Sequence, residues 1–549
     1  MEPAAPEARR GVRRWAALAP VFSSDIYATL LTAQLIAILA RWMQLLGGQW
    51  FFIDENPSMV ALASTAIFLP TVLFAPIAGA FADNNDRRRM LIRTQGGLFA
   101  IASVIAVLSI AGVVSSWMML LLMFLMGTGL AVNMPPWQSL QSEVVPKEHL
   151  VQAATLTAVG ANIGRAVGPA IGGVVVGLSG VGGVFAVAAV TYGLAFRLMS
   201  RVGPVPHHDR GREPLGKALR AGNRYVRFSS TTRRILFWTC IFIPVNSALW
   251  ALLPAVAKGR LGLDAAGYGL LLGAVGAGAL IGALIMPALK KRLTSAALFT
   301  TSIVVVGVAT IGVTAVRNPW LAGVLLLPVG AAYIAVIALF NATLQLLLPA
   351  WVRARGLAIY TVVFHGAMSV GSATWGFVAD GLGTGTAVAI SGAVLLAFAP
   401  LSMWKRFPAT SVVPDGEPVT GWTEPELVLD VYSRQGPVTV TVVYRVAEEN
   451  RTEFVATMAA IGDARRRSGA TRHDVLQEAS EPDTFIEIYE VSSWADHVRQ
   501  QAERLTEADR ALERRAHELA DRSGAGRHWF GCRDEQNLSV TNETRSTHG

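Results

Sequence analysis

From about residue 27 to residue 404 the chain repeats one pattern: an apolar run of about twenty residues, a short polar break, then another run. About twenty apolar residues make a helix long enough to cross the ~30 Å hydrocarbon core of a bilayer. The pattern predicts about twelve spans, near 27–52, 59–82, 90–114, 117–134, 151–178 and 182–199, then 235–257, 267–289, 296–316, 320–348, 356–379 and 386–404. After Trp404 the pattern changes. Residues 408–430 read as a linker rich in Pro, Gly, Thr and acids, and from there alternating and amphipathic segments predict a folded tail. Strands are expected at 438–446, 471–479 and 484–491, with a short last one at 528–532. A helix at 453–467 places Phe454, Met458 and Ile461 on one face, and Ser492 or Ser493 caps one long charged helix through about Leu519. This β-α-β-β-α-β order is ferredoxin-like.

Composition agrees with a membrane protein. The 549 residues are 52% hydrophobic and only 15% charged, where a soluble chain carries roughly a quarter of charged residues. The formal charge of +9 does not point to nucleic acid. Its arginines and lysines gather in alternate loops: before the first span, at Arg87 to Arg89, in the long loop 201–234, at Lys290 to Arg292, at Arg353 and Arg355, and at Lys405 and Arg406. That asymmetry puts both ends in the cytoplasm. Cys240 and Cys532 lie far apart in different kinds of sequence, so neither a disulfide framework nor a metal site is expected, and no cofactor is called for.

The spans divide into two sixes about the basic loop. Leu140-Gln141 with Val145-Pro146 after the fourth span is echoed by Leu344-Gln345 with Leu348-Pro349 after the tenth. Parallel six-helix halves are a transporter architecture with the substrate path between them. The expected organisation is an N-terminal arm (1–26), a six-helix half (27–200), the basic loop (201–234), a second half (235–407), the linker (408–430) and a cytoplasmic α+β tail (431–549).

Three constellations carry the chemistry. The hairpin Gly79-Ala-Phe-Ala-Asp83-Asn-Asn-Asp86-Arg87-Arg88-Arg89 sets an acid at a helix end against an arginine cluster. In the fifth span Gly160, Gly164, Gly168 and Gly172 recur every four residues beside Pro169. Such a stripe lets a neighbouring helix approach closely, and the proline weakens the helix there, which suits a pivot. Third, charges inside lipid default to function. Arg41 and Arg165 fall within spans, joined by His365 and by the neutral Gln44 and Asn162, with Gln34, Asn246 and Asn341 as further polar candidates. Arg165 follows Gly164 by ~100° around the helix, off the glycine face and toward the space between the halves. No carboxylate sits within a span, so an anionic or acceptor-rich substrate is expected rather than a lipophilic cation.

These motifs resemble those of the major facilitator superfamily: the hairpin its loop signature, and Gly164, Gly168, Pro169, Gly172 and Gly173 its antiporter signature. The stretch Asn133-Met-Pro-Pro-Trp137-Gln138, Val145-Pro146 and Asn162-Ile-Gly-Arg165-Ala-Val-Gly168-Pro169 is similar to the transmembrane secretion effectors, which include enterobactin-exporter-like proteins. The resemblance implies an exporter working by alternating access, with Gly79, Asp83, Arg87 and Arg88 as a cytoplasmic latch, and a siderophore-like or other secondary metabolite as substrate. Asn84 and Asp86 depart from the loop signature, and the fourth span lacks an Arg-x-x-Gln-Gly pattern, which sets the chain apart from many proton-coupled drug exporters. The partners implied are lipid, the small-molecule substrate, a coupling proton or other ion, and a second copy through the tail. The tail, most clearly at Tyr489-Glu-Val-Ser-Ser-Trp494-Ala-Asp-His497, is similar to the antibiotic-biosynthesis-monooxygenase type of dimeric α/β barrel. A competing expectation follows: a membrane-anchored monooxygenase-like or ligand-sensing protein using His473, His497 or Tyr444. The tail shows no nucleophile–base pair, metal cluster or phosphate loop, and the chain is read as a transporter and not an enzyme.

Overall fold

The computed structural model describes residues 25–203, 215–408, 424–425, 436–524 and 526–531. The arginines of the N-terminal arm, most of the linker and Cys532 lie outside these residues. The described chain forms two units: one takes in residues up to 213, 234–342 and 358–409, and the other 214–233, 343–357 and 410 onward.

Every apolar run becomes helix. The elements are α1 (Asp25–Phe51), α2 (Pro57–Asn84), α3 (Arg87–Ile110), α4 (Ser116–Val144), α5 (Leu150–Arg201), α6 (Leu215–Phe228), α7 (Ser230–Gly259), α8 (Ala265–Arg292), α9 (Ser295–Ala315), α10 (Pro319–Leu347), α11 (Ala350–Leu382) and α12 (Thr384–Trp404). All but α6 are long and apolar enough to cross a membrane, which makes 11 such helices among the described residues. Helix α5, however, has 52 residues and would be ~78 Å long if straight, far more than one crossing needs. It breaks at Gly180, where φ 70° and ψ −175° are open only to glycine. The two arms coincide with the expected fifth and sixth spans, so the described residues supply the twelve expected apolar segments. Polar residues at the turns set the ends: Asp86, Ser115, Asp264 and Thr294 each accept a hydrogen bond from a main-chain N–H of the helix they precede. Helix α6 was not expected. It lies in the basic loop, where Leu215, Leu219, Gly222 and Val226 recur at helical spacing among arginines.

The tail is ferredoxin-like. Its elements are β1 (Val438–Arg445), α13 (Arg451–Ser468), β2 (Arg472–Gln477), β3 (Thr484–Val491), α14 (Trp494–Arg499), α15 (Glu507–Leu519), β4 (Arg522–Ser523) and β5 (Arg527–Phe530). The sheet runs β2-β3-β1-β4, with β5 continuing the edge on β1, and all pairs are antiparallel. Phe454, Met458 and Ile461 of α13 are buried against Val442, Tyr444 and Phe485, the face that periodicity assigned. One expectation fails: the long charged helix after Ser493 is two helices. The first, α14, runs on through a π-helical turn (Gln500–Arg504) to the buried Leu505, and Thr506 with Asp509 forms a reciprocal cap that starts α15.

The first arm of α5 is wedged between α1 and α8. A Cβ on Gly164 would lie 2.7 Å from Ile38, one on Gly168 2.7 Å from Trp42 Cβ and 3.2 Å from the Leu39 carbonyl, and one on Gly172 3.1 Å from Met43 Cα. Gly160 meets Leu35 in the same way. The other side of the arm meets a second stripe on α8, where a Cβ on Gly269 would sit 2.6 Å from the Pro169 carbonyl and one on Gly276 would strike Ala166. Pro169 and Ala166 therefore lie where the two halves approach closely. Gly168→Val forces a branched side chain against main chain that cannot yield, a strain of ~1–3 kcal/mol or more. Such a variant is expected to express poorly or to be held in one access state. Alkylation rates of cysteines placed on both membrane faces report this, and rates equal to the parent's would contradict a moving seam.

Candidate functional site

A cavity of about 310 Å³ opens inside the helical unit, lined from both halves. Helix α1 contributes Gln34, Arg41, Trp42 and Gln49; α3 and α4 contribute Gln95, Asn133 and Trp137; α5 contributes Arg165 and Tyr192. From the second half come Trp250, Tyr268, Tyr333, Phe364, His365 and Met368. Arg41 and Arg165 lie on facing helices because the glycine seam brings α1 and α5 together, and Arg165 occupies the flank beside that seam. Its guanidinium stands 5.2 Å from the Trp42 ring, and its Nε and one terminal nitrogen are shielded without a hydrogen-bond acceptor. Such a charged donor left unmatched costs at least ~1–3 kcal/mol. The cavity's lining holds no Asp or Glu. Its polar atoms lean to donors: the Trp137 and Trp250 indole N–H groups are also unmatched, as is the Gln95 amide. His365 gives Nδ1–H to the Thr361 carbonyl at 2.9 Å and packs between Phe68 and Phe364.

Two sequence candidates fall elsewhere. Gln44 is buried with its amide unmatched but is not part of the lining. Asn162 also lies outside it, donating back to the Ala158 carbonyl of its own helix at 3.0 Å. Two lining residues that sequence reasoning passed over, Gln49 and Tyr268, bond across the halves. Gln49 donates to Ser64 Oγ (2.9 Å) and to the Trp250 carbonyl (3.0 Å), and accepts from Tyr268 OH (2.6 Å). Ser58 N–H to Asp380 (2.9 Å), Thr65 to the Ser369 carbonyl (3.1 Å) and the Asp54–Lys258 ion pair join the halves near the same loops.

In the tail, the residues of the enzymatic expectation are tied into packing. Tyr444 OH (3.4 Å) and His473 (3.3 Å) face Glu487, which pairs with Arg465 at 3.1 Å, and Arg465 also holds Glu513 at 2.6 Å. Burial opposes the Glu487 charge, but Arg465 and the hydrogen bonds from His473 and Arg465 outweigh it and hold the carboxyl at about 2. His497 stacks near Trp494 and lies 3.1 Å from His528; burial, with His528 and Arg465 nearby, pushes it down to about 3.

The hairpin after α2 has a partner that its own sequence does not contain. Arg87 forms an ion pair with Glu143 near the end of α4, and Arg88 donates to the Ser200 carbonyl at 3.0 Å. The Asp83 side chain lies outside those described. A Cβ on Gly79 would meet open space, so packing does not demand glycine there. The Arg87–Glu143 pair is about nine-tenths shielded, with side-chain exposures of 10% and 11%. Glu143→Gln is therefore expected to cost ~3 kcal/mol, the penalty for removing one member of a buried pair. Thermal unfolding in detergent measures it. The charge swap Arg87→Glu with Glu143→Arg should recover most of the loss; equal melting of all three proteins would contradict the pairing.

Residues 15–528 match the family model described as transmembrane secretion effector. Among curated proteins the chain is similar to the staphyloferrin A transporter of Staphylococcus aureus, 22% identical over 289 residues that cover 51% of this chain and 72% of that one. It is also similar to the uncharacterized MFS-type transporter YfiS of Bacillus subtilis, 24% identical over 30% of this chain and 40% of YfiS. Macrolide efflux protein A of Streptococcus pyogenes is 26% identical over 22% of this chain and 31% of its own. The chain thus spans less than half the length of these last two relatives. Among solved structures, a bacterial homolog of the human lysosomal transporter Spinster in an inward-facing, unoccupied conformation superposes with a TM-score of 0.57 at 14% identity, over 71% of this chain and 97% of that one. The nucleoside transporter NupG gives 0.56 at 12% identity, over 69% and 100%. At such identities the likeness is one of fold. The matched span takes in both helical halves and most of the tail, and the chain belongs to the transmembrane secretion effector family of major facilitator superfamily transporters.

Proposed function

We propose that this transporter exports a small anionic or acceptor-rich molecule, siderophore-like or another secondary metabolite, by secondary active alternating access coupled to an ion gradient. The observation that carries the reading is the cavity's charge: Arg41 and Arg165 with no carboxylate among the lining residues. An anion compensates these guanidiniums, whereas a lipophilic cation adds to an uncompensated positive field. The unmatched donors of Arg165, Trp137 and Trp250 favour a ligand rich in acceptors, and the aromatic walls favour one with flat apolar parts. The staphyloferrin A transporter among the relatives supports a siderophore-like substrate, and macrolide efflux protein A supports outward transport. In this reading the sequence-nominated latch (Gly79, Asp83, Arg87 and Arg88) holds one access state, and the seam at Gly160, Gly164, Gly168, Pro169 and Gly172 is the surface about which the halves rock. The basic loops support cytoplasmic termini in a bacterial inner membrane. The uncovered sheet face of the tail, with Val443, Leu476 and Trp529 exposed, supports self-association there.

Arg165 tests the reading. Arg165→Ala removes a charge-assisted contact worth ~2 kcal/mol, so affinity for an anionic ligand should fall about thirtyfold while that for a neutral analogue hardly changes. Arg165→Lys should recover only part, because it keeps the charge and loses the planar fork. Calorimetry on the three proteins with a matched acid and amide pair decides. Equal losses for both ligands would make Arg165 structural.

A further inference from the structure

The second unit is not the tail alone. It contains α6 and the junction of α10 with α11, residues 343–357, folded with the tail's helices. Trp351, the second residue of α11, is the centre of this packing. Tyr225 of α6 meets it edge to face at 5.9 Å, and the Arg504 guanidinium lies 5.2 Å from its ring on the tail side. Arg504 is held in place by donating to the Ser468 carbonyl (3.1 Å) and by Asp496 at 3.6 Å, so it meets the indole already oriented. One helical turn along α6, Phe228 lies 5.6 Å beneath Arg466. Tyr225 is buried, with the Arg467–Asp509 ion pair of the tail close enough to act on its phenol. A domain merely tethered after α12 has no need of these contacts, which engage two elements that do not adjoin it in sequence.

Helix α11 gives the contact a consequence. It runs from Ala350 to Leu382 without a proline, and it carries Phe364, His365 and Met368 to the cavity. His365 lies ~21 Å along from Trp351, close to four turns, so the two positions fall on nearly the same side of the helix. We propose that the tail is a brace for α11: it holds Tyr225 and Trp351 in one packed cluster and so restrains the helix that lines the cavity. This goes beyond the transport reading, since it gives the tail a mechanical part whatever the substrate is.

The test uses the full-length protein with Cys240→Ser and Cys532→Ser, and neither readout needs transport. Spin labels at Asn223→Cys on α6 and Ala456→Cys on α13, both exposed positions, report docking. In a separate protein, the rate at which a small maleimide alkylates Met368→Cys reports the cavity face of α11. Arg504→Gln and Trp351→Leu should each broaden the distance distribution and change the alkylation rate about fivefold, the scale of a shielded cation–π contact. Arg504→Lys should restore most of both, and Asp521→Asn, at an exposed position after α15, should alter neither. An unchanged distance distribution would overturn the docking. A broadened distribution with unchanged alkylation would overturn the restraint, leaving the tail a docked passenger.

Discussion

Two guanidinium groups set within the span of the bilayer constrain this molecule more than any other feature. Each would cost several kcal/mol if it faced lipid. Arg41 and Arg165 avoid this by sitting on α1 and α5 where those helices, joined along the glycine seam, turn toward the second half. The seam must be narrow for this to work, so a Cβ added to Gly164, Gly168 or Gly172 would press on Ile38, on Trp42 Cβ or on the Met43 main chain. The same arm must also meet α8 closely, and there the complement is a second stripe of small residues. The cavity is the space left when two charges are kept from lipid and no acid is supplied to neutralise them.

Much of this was legible in the sequence because membrane insertion is local physics. Each span needs only its own twenty apolar residues, and each glycine stripe only its own helical period. Arg165 was placed beside the seam by an angle within one helix, and it is there. What was not legible depends on residues distant in the chain. Arg87 finds Glu143, and Gln49 finds Tyr268, across separations that no local spacing encodes. Asn162 failed as a cavity residue because its amide has a cheaper acceptor one turn back on its own helix. Helix α6 was hidden because arginines fill its polar face, and its apolar side has meaning only against a partner. In the tail, Thr506 and Asp509 spelled out a helix start that a single charged run obscured.

The two ends of the first half illustrate different uses of polar bonds in a membrane protein. Near α2 and α3, Arg87 and Arg88 bind groups of their own half. In α1 and α2, Gln49, Ser58 and Thr65 bind groups of the other half. Under the alternating access proposed above, the bonds between halves must be exchanged between states, and Arg87 and Arg88 act as the latch from within the first half.

The central claim is that the cavity selects for negative charge, and direct transport tests it best. Inside-out vesicles bearing the protein, energised by an imposed ion gradient, should accumulate radiolabelled hydroxycarboxylate or catecholate compounds in preference to lipophilic cations of equal size. Accumulation of the cations with exclusion of the anions would contradict the account.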